Sequence, residues 1–248
     1  MSALLVARGV SMAFAGNQAL DAVDLMIDEG EWRGLIGPNG SGKSTMLNVL
    51  SGLYRPQGGA VDLDGSSIER RRPRARYGLG VRRTFQHPQL AASLTLSENV
   101  ATGLRRGHGL TSAELGRRVD RCLELFGCSA FADRLPRHAP YGAQKSAEVA
   151  RALVGRPKLL LLDEPAAGLS ASERRELVEA LRECRREDPA MAVCLIEHDI
   201  GLVASLCDSL SVLSAGQLIA EGQVQAVLAD ERVREAYLGT SASQEAGS

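Results

Sequence analysis

The chain of 248 residues lacks any apolar run approaching the roughly 18 residues that a membrane-spanning helix needs, so no such span is expected. Its opening stretch, MSALLVARGVSMAF, has no charged segment followed by a long apolar one, and no secretory leader is read there. Net charge is missing too: 29 Lys and Arg against 30 Asp and Glu leave −1, and nothing global argues for nucleic acid or an acidic substrate. There is no Cys-x-x-Cys pair. The cysteines (Cys122, Cys128, Cys184, Cys194 and Cys207) are odd in number, which reads as reduced thiols of a cytosolic protein and argues against a disulfide framework or a zinc site. No internal repeat is visible. What is present is an ordinary globular mixture, 44% hydrophobic and 24% charged, in a chain long enough for one large domain with or without a sub-domain.

The near-zero total hides an asymmetry. From Ser66 to Ala150 the chain carries 15 basic and 7 acidic residues, whereas the remainder carries 14 and 23. The densest part is Arg70, Arg71, Arg72, Arg74 and Arg76, followed by Arg82 and Arg83. This reads first as a solvated, arginine-rich loop; the functional alternative is a surface facing anionic lipid headgroups or an acidic partner. The nearby aromatics Tyr54, Tyr77 and Phe85 form no base-stacking pattern, so no nucleic-acid partner is expected.

Alternating apolar residues predict strands near Leu4–Ser11 and Ala22–Ile27. Trp32–Ile36 reads as a short buried strand, Gly37–Ser44 as a glycine-rich loop, and Thr45–Leu53 as a helix. Val61–Leu63 before Asp64-Gly65 suggests an edge strand and a turn, and Arg82–Gln86 a further strand. Thr95–Glu98, Thr111–Glu114 and Ser170–Glu173 fit capping boxes, in which hydroxyl and carboxylate satisfy the free amides of a helix start. After the second, Leu115, Val119, Cys122, Leu123 and Phe126 share one helical face; the third opens a helix to about Glu187. Another helix is placed from about Lys145 to Val154. Lys158–Asp163 and Ala192–Ile196 read as buried parallel strands, Asp208–Leu213 and Gln217–Ala220 as a hairpin, and Thr240–Ser248 as a flexible tail. The pattern predicts an α/β fold with a mainly parallel sheet, an N-terminal antiparallel β portion and an α-helical sub-domain inserted over approximately 85–154.

Gly37-Pro-Asn-Gly-Ser-Gly-Lys43-Ser44 fits G-x-x-x-x-G-K-[ST]. Backbone amides from Asn39 to Thr45 can point into one concavity, because Gly40 and Gly42 allow close approach, and the following helix adds its positive dipole end. Lys43 would bridge the β- and γ-phosphates of a nucleotide, and Ser44 would ligate Mg²⁺. Leu159–Leu162 ends in Asp163-Glu164, where a parallel strand presents its C-terminal end to a ligand. Asp163 would complete the Mg²⁺ shell and Glu164 would polarise the attacking water as general base. His198 follows the next buried strand, where it can contact the γ-phosphate. Gln86, a neutral amide after Arg83-Thr-Phe, can both ligate Mg²⁺ and orient water. His87, His108 and His138 have no such context.

In this order, from about Leu4 to Gly239, these residues resemble the ATPase subunit of ABC transporters. The resemblance implies a P-loop NTPase core, ATP and Mg²⁺ as ligands, and ATP hydrolysis coupled to transport. It makes Phe14 the aromatic that stacks on adenine, Gly37–Thr45 with Ser41 the Walker A loop, Gln86 the Q-loop glutamine, Asp163 and Glu164 the Walker B pair, and His198 the switch histidine. It implies one ABC ATPase domain over 1–239, head-to-tail dimers in which the signature loop of one subunit meets the nucleotide of the other, and transmembrane permease subunits docked near Gln86–Glu98. The chain would then sit at the inner face of the cell membrane, held there by those permeases. At the signature, Ala139-Pro-Tyr-Gly-Ala143 stands where L-S-G-G-Q is usual, leaving Tyr141 and Gly142 as the nucleotide-facing pair, and Ser170 stands where the D-loop usually has aspartate.

Arg83-Thr-Phe-Gln86, Asp163–Leu169, Ile196–Asp199 and the tail Arg234–Gly239 are similar to ATPases of branched-chain amino acid importers, in which a Tyr-Gly signature is common. That resemblance implies import of a small polar solute together with a separate solute-binding protein. Lipopolysaccharide-export ATPases share the tail and are an alternative. Another is a low-turnover half of a heterodimer, suggested by Pro140 and Ala143, so the partner is either a second copy or a second ABC ATPase. Action on DNA or ribosomes is disfavoured, since no second cassette or long coiled-coil insert is present.

Overall fold

The computed structural model describes residues 2–104 and 111–236. His108, Tyr237–Gly239 of the tail motif and the expected tail Thr240–Ser248 lie outside the described residues. The chain divides into two compact units, one made of the residues up to Leu79 with those from Ala192 onward, the other of Gly80–Met191.

In the first unit, β1 (Ala3–Phe14), β2 (Asn17–Asp28), β4 (Gly58–Leu63) and β5 (Ser66–Ser67) form an antiparallel sheet in the order β2-β1-β4-β5. Val61–Leu63 is therefore not an edge strand: it pairs with β1 on one side and the two-residue β5 on the other. Ala15-Gly16 (φ 47° and 88°) and Asp64-Gly65 (φ 52° and 69°) make the two tight turns. Two successive left-handed residues suit the twist of a two-residue hairpin, and glycine takes one of them without strain. β3 (Trp32–Ile36) lies between parallel β8 (Ala192–Ile196) and β9 (Ser209–Ser214), and β10 (Gln217–Gln223) returns antiparallel along β9. β3 and β8 are buried at every position; β8 runs apolar without alternating, whereas β3 also buries Arg33, which pairs with Glu31 at 2.8 Å.

The helix after β3, α1 (Lys43–Ser51), ends at Gly52 (φ 81°), whose N–H donates to Val49 O at 3.1 Å. A second group serves the same end. Arg70–Arg76 is not a solvated loop throughout: Pro73–Gly78 forms α2, and Arg76 on it is only 1% exposed. Its guanidinium donates to Val49 O (2.6 Å) and Leu50 O (2.8 Å), putting a cation on the negative end of α1, and to Arg71 O (3.0 Å) before α2. Burial pulls its pKa down to about 10. Arg76→Ala should lower unfolding stability by about 2–3 kcal/mol, because buried carbonyls lose a charged donor. A urea titration that leaves the midpoint unmoved would show that water replaces the guanidinium at no cost. The unit is completed by α7 (Ile200–Leu206), N-capped by the Asp199 carboxylate on Leu202 N at 3.1 Å, and α8 (Val224–Ala229).

In the second unit, β6 (Val81–Arg83) runs parallel to β7 (Leu159–Asp163), three residues long rather than reaching Gln86. α3 (Leu96–Ala101), α4 (Ser112–Leu125) and α5 (Tyr141–Leu153) pack on one another, and α6 (Ala171–Glu187) follows β7. All three capping boxes form, at Thr95, Thr111 and Ser170. Val119, Leu123 and Phe126 are buried and Leu115 and Cys122 half-buried, the face the spacing predicts. α5 begins four residues before the expected Lys145. Its N-cap is Pro140, which offers no side-chain hydrogen bond, so no polar cap announces the start. Tyr141 and Gly142 thus lie in the first helical turn.

Candidate functional site

β3 delivers the chain into the glycine loop. Gly37 (φ 146°), Gly40 (φ 78°) and Gly42 (φ 105°) all take positive φ. A Cβ on Gly37 would fall 2.0 Å from Leu213 O, and one on Gly42 would fall 2.4 Å from Ala19 O, so neither position admits a side chain. Gly40 faces open space, and Asn39 beside it is exposed. Lys43 is buried and folds back over the loop, its Nζ donating to Gly37 O and Pro38 O at 2.8 Å each. Ser41 is 2% exposed, and its hydroxyl has no hydrogen-bond partner among the described residues. No side chain caps α1 and no acid stands in its first turn. The amides of an uncapped helix start, an orphaned hydroxyl and an ammonium folded over the loop fit a bound phosphate chain. Ser44 is exposed on the first turn and Thr45 half-buried beside it. At the end of β1, Phe14 is 40% exposed and meets Tyr54 edge-on, ring centroids 5.3 Å apart. His198 is exposed just past β8, between buried Glu197, whose carboxylate accepts from His198 N at 3.3 Å, and the cap Asp199.

The second unit brings the two acids together with Gln86. Asp163 ends β7 and accepts from Arg83 Nη2 at 2.9 Å; that guanidinium also lies over the Phe85 ring at 4.9 Å. Glu164 is held in left-handed backbone (φ 48°), a costly conformation for a residue with a Cβ. Its carboxylate accepts from Gln86 Nε2 at 3.2 Å, and its carbonyl accepts from Lys145 Nζ at 3.0 Å. Lys145 also reaches Phe85 O at 3.4 Å. One turn along α5, Glu148 accepts from Gln89 N (2.9 Å) and Phe85 N (3.5 Å). Both α5 residues are 1% exposed, and burial pushes the Glu148 carboxyl above the usual carboxylate range despite those hydrogen bonds. The loop bearing Gln86 is therefore clamped to α5 from both sides of its backbone. Lys145 and Glu148 carry no motif of their own in the sequence; their burial alone marks them.

Tyr141 is 40% exposed, and its ring lies where a Cβ on Gly168 (φ 78°) would come, 2.9 Å away. A Cβ on Gly142 would fall 2.0 Å from Oε1 of Glu173, whose other oxygen, Oε2, accepts from Ser170 N in the capping box. A side chain at Gly142 would therefore have to displace the Glu173 carboxylate.

Ser44, Asp163 and Gln86 offer a hydroxyl, a carboxylate and an amide oxygen, the hard donors that magnesium takes. Among the described residues no group of three or more His, Cys, Asp or Glu is arranged to hold a metal.

A positive-φ glycine loop between a buried parallel strand and a helix, with a carboxylate pair ending another buried strand, defines a P-loop nucleotide-binding α/β protein. A family model described as "ABC transporter" matches residues 20–167, and one described as "Branched-chain amino acid ATP-binding cassette transporter" matches residues 217–243. The chain is 36% identical to the high-affinity branched-chain amino acid transport ATP-binding protein BraF of Pseudomonas aeruginosa and 37% identical to LivG of Salmonella typhimurium, named for the same transport. Each alignment covers 95% of this chain and 98% of the relative. The dimeric post-hydrolysis structure of the ATP-binding cassette MJ0796 with ADP and Pi superposes with a TM-score of 0.80 at 28% identity, covering 89% of this chain and 98% of that one. The chain belongs to the ABC transporter family, as a cassette that hydrolyses ATP in support of transmembrane transport.

Proposed function

We propose that this chain powers an importer of branched-chain amino acids or a similar small polar solute. The observation that carries the reading is the 36–37% identity, across 95% of the chain, to relatives named for that transport. Residues 1–239 act as one ATPase domain with the helices of approximately 85–154 as its inserted sub-domain. The chain works as a dimer with a copy of itself or a second cassette, and docks on permease subunits at the inner face of the membrane. Among the described residues no helix is long and apolar enough to cross it. A separate solute-binding protein supplies the cargo.

In this reading Phe14 stacks on adenine, and the amides of Gly37, Asn39, Gly40, Ser41, Gly42, Lys43, Ser44 and Thr45 wrap the phosphates while Lys43 swings from its carbonyls to the β- and γ-oxygens. Ser44, Asp163 and Gln86 would hold Mg²⁺, which would supply charge neutralisation for the phosphates. Glu164 takes the proton from the attacking water, Gln86 orients that water, and His198 contacts the γ-phosphate. Tyr141 and Gly142 face the nucleotide of the partner subunit. Pro140 brings no hydroxyl to that contact, which favours, as a second reading, a heterodimer whose other half has the weakened site.

Proteoliposomes carrying this chain and the permeases encoded beside it, with their binding protein, should accumulate leucine, isoleucine or valine only when ATP is enclosed. An assembly that hydrolyses ATP yet moves none of the three overturns the substrate assignment.

A further inference from the structure

Away from the nucleotide residues, α4 and the C-terminal ends of α5 and α6 enclose a cavity of about 360 Å³, all of it within the 80–191 unit. That is the lower end of the range for small-molecule pockets, about 300–1,000 Å³. Its floor is apolar: Cys122, Leu125, Leu153, Val154, Cys184 and Met191. Burial pushes the Cys122 thiol up to about 11 and the Cys184 thiol up to about 12, so both stay neutral at physiological pH and act as small hydrophobic groups.

The rim is charged, and unevenly so. Arg121 is committed to Glu187 at 2.9 Å. Glu114 is committed to the Thr111 capping box, with Nα and Oγ1 both donating to its carboxylate at 2.7 Å. Arg117, Arg118 and Arg156 also line the cavity, and among the described residues none has a carboxylate within 4.0 Å. Arg156 stands in left-handed backbone (φ 47°) between α5 and Pro157. Against these three cations stands Asp188, the one lining acid without a side-chain partner among the described residues.

A free inorganic anion has no use for the apolar floor, and a neutral hydrocarbon has none for three uncommitted guanidinium groups. We propose that this cavity binds a small amphiphilic carboxylate, its hydrocarbon body on the floor and its carboxylate at Arg117, Arg118 and Arg156. Guanidinium and carboxylate match in geometry and form charge-assisted hydrogen bonds. The site owes nothing to the transport reading or to the nucleotide loop.

The test is calorimetric titration of the full chain with octanoate, with 1-octanol and inorganic phosphate as counter-probes. Octanoate should saturate one site per chain, with both counter-probes at least about tenfold weaker. The double variant Arg118→Ala/Arg156→Ala should weaken octanoate about tenfold, and Leu125→Trp, which fills the floor, should abolish its binding; unchanged ATP affinity in each shows that the fold persists. Absence of saturable octanoate binding overturns the proposal. So does equal affinity for octanol, which would mean unspecific apolar adsorption, or for phosphate, which would mean a simple anion site. Octanoate affinity unmoved by the arginine pair overturns it even if the tryptophan variant does not fold.

Discussion

Glu164→Gln should cut ATP turnover by about 10²–10⁴-fold while leaving ATP affinity within about threefold of the parent. The reasoning starts from position. β7 is buried along its length and ends at Asp163, so the next residue emerges at the strand's C-terminal end, where Gln86 Nε2 meets its carboxylate at 3.2 Å. A glutamine there keeps the size and one oxygen acceptor, and it keeps the backbone contact from Lys145 to the Glu164 carbonyl. What it cannot do is accept a proton from water. Binding should therefore survive and chemistry should not, and phosphate release at saturating ATP and Mg²⁺ separates the two. Turnover within about threefold of the parent would remove Glu164 from the role of base, because general-base assistance is worth far more than that.

Lys43→Ala should act the other way round, on binding first. The ammonium is buried and held by two carbonyls of its own loop, Gly37 O and Pro38 O at 2.8 Å each, so it already stands over the concavity that the loop forms. Removing one charge-assisted contact to a phosphate should weaken ATP by about 10–100-fold. Lys43→Arg should not restore it, since a planar fork does not fit a place shaped for a compact ammonium. Titration of a fluorescent ATP analogue with and without Mg²⁺ reads the effect, and far-ultraviolet circular dichroism checks that α1 persists. Unchanged affinity would mean that the loop amides alone carry the phosphates.

What was legible in the sequence was local. The G-x-x-x-x-G-K-S pattern, the capping boxes at Thr95, Thr111 and Ser170, and the short buried strands at Trp32, Leu159 and Ala192 each involve residues a few positions apart, and the structure has all of them. What escaped depends on partners far along the chain. Arg76 looks like one more surface arginine until the end of α1, 26 and 27 residues earlier, is laid against it. Arg83 reaches Asp163 across 80 positions, and Glu148 reaches Gln89 across 59. No periodicity reports such pairs, because the fold creates them only when strands and helices converge. The early start of α5 was missed for a different reason: Pro140 occupies the cap without the hydrogen-bonding oxygen by which a helix start is recognised.

α5 is about 20 Å of continuous helix that opens at Tyr141 and Gly142 and carries Lys145 and Glu148 on its next turns. In a head-to-tail pair its tip would point into one reaction chamber, while its flank would grip the water-orienting loop of the other. In such a pair the rod would act like the crossbar of a double latch, unable to withdraw from the neighbour's chamber without tugging on the catch of its own. Synchrony between the two chambers would then come from a shared stiff part, with no chain of messages between them.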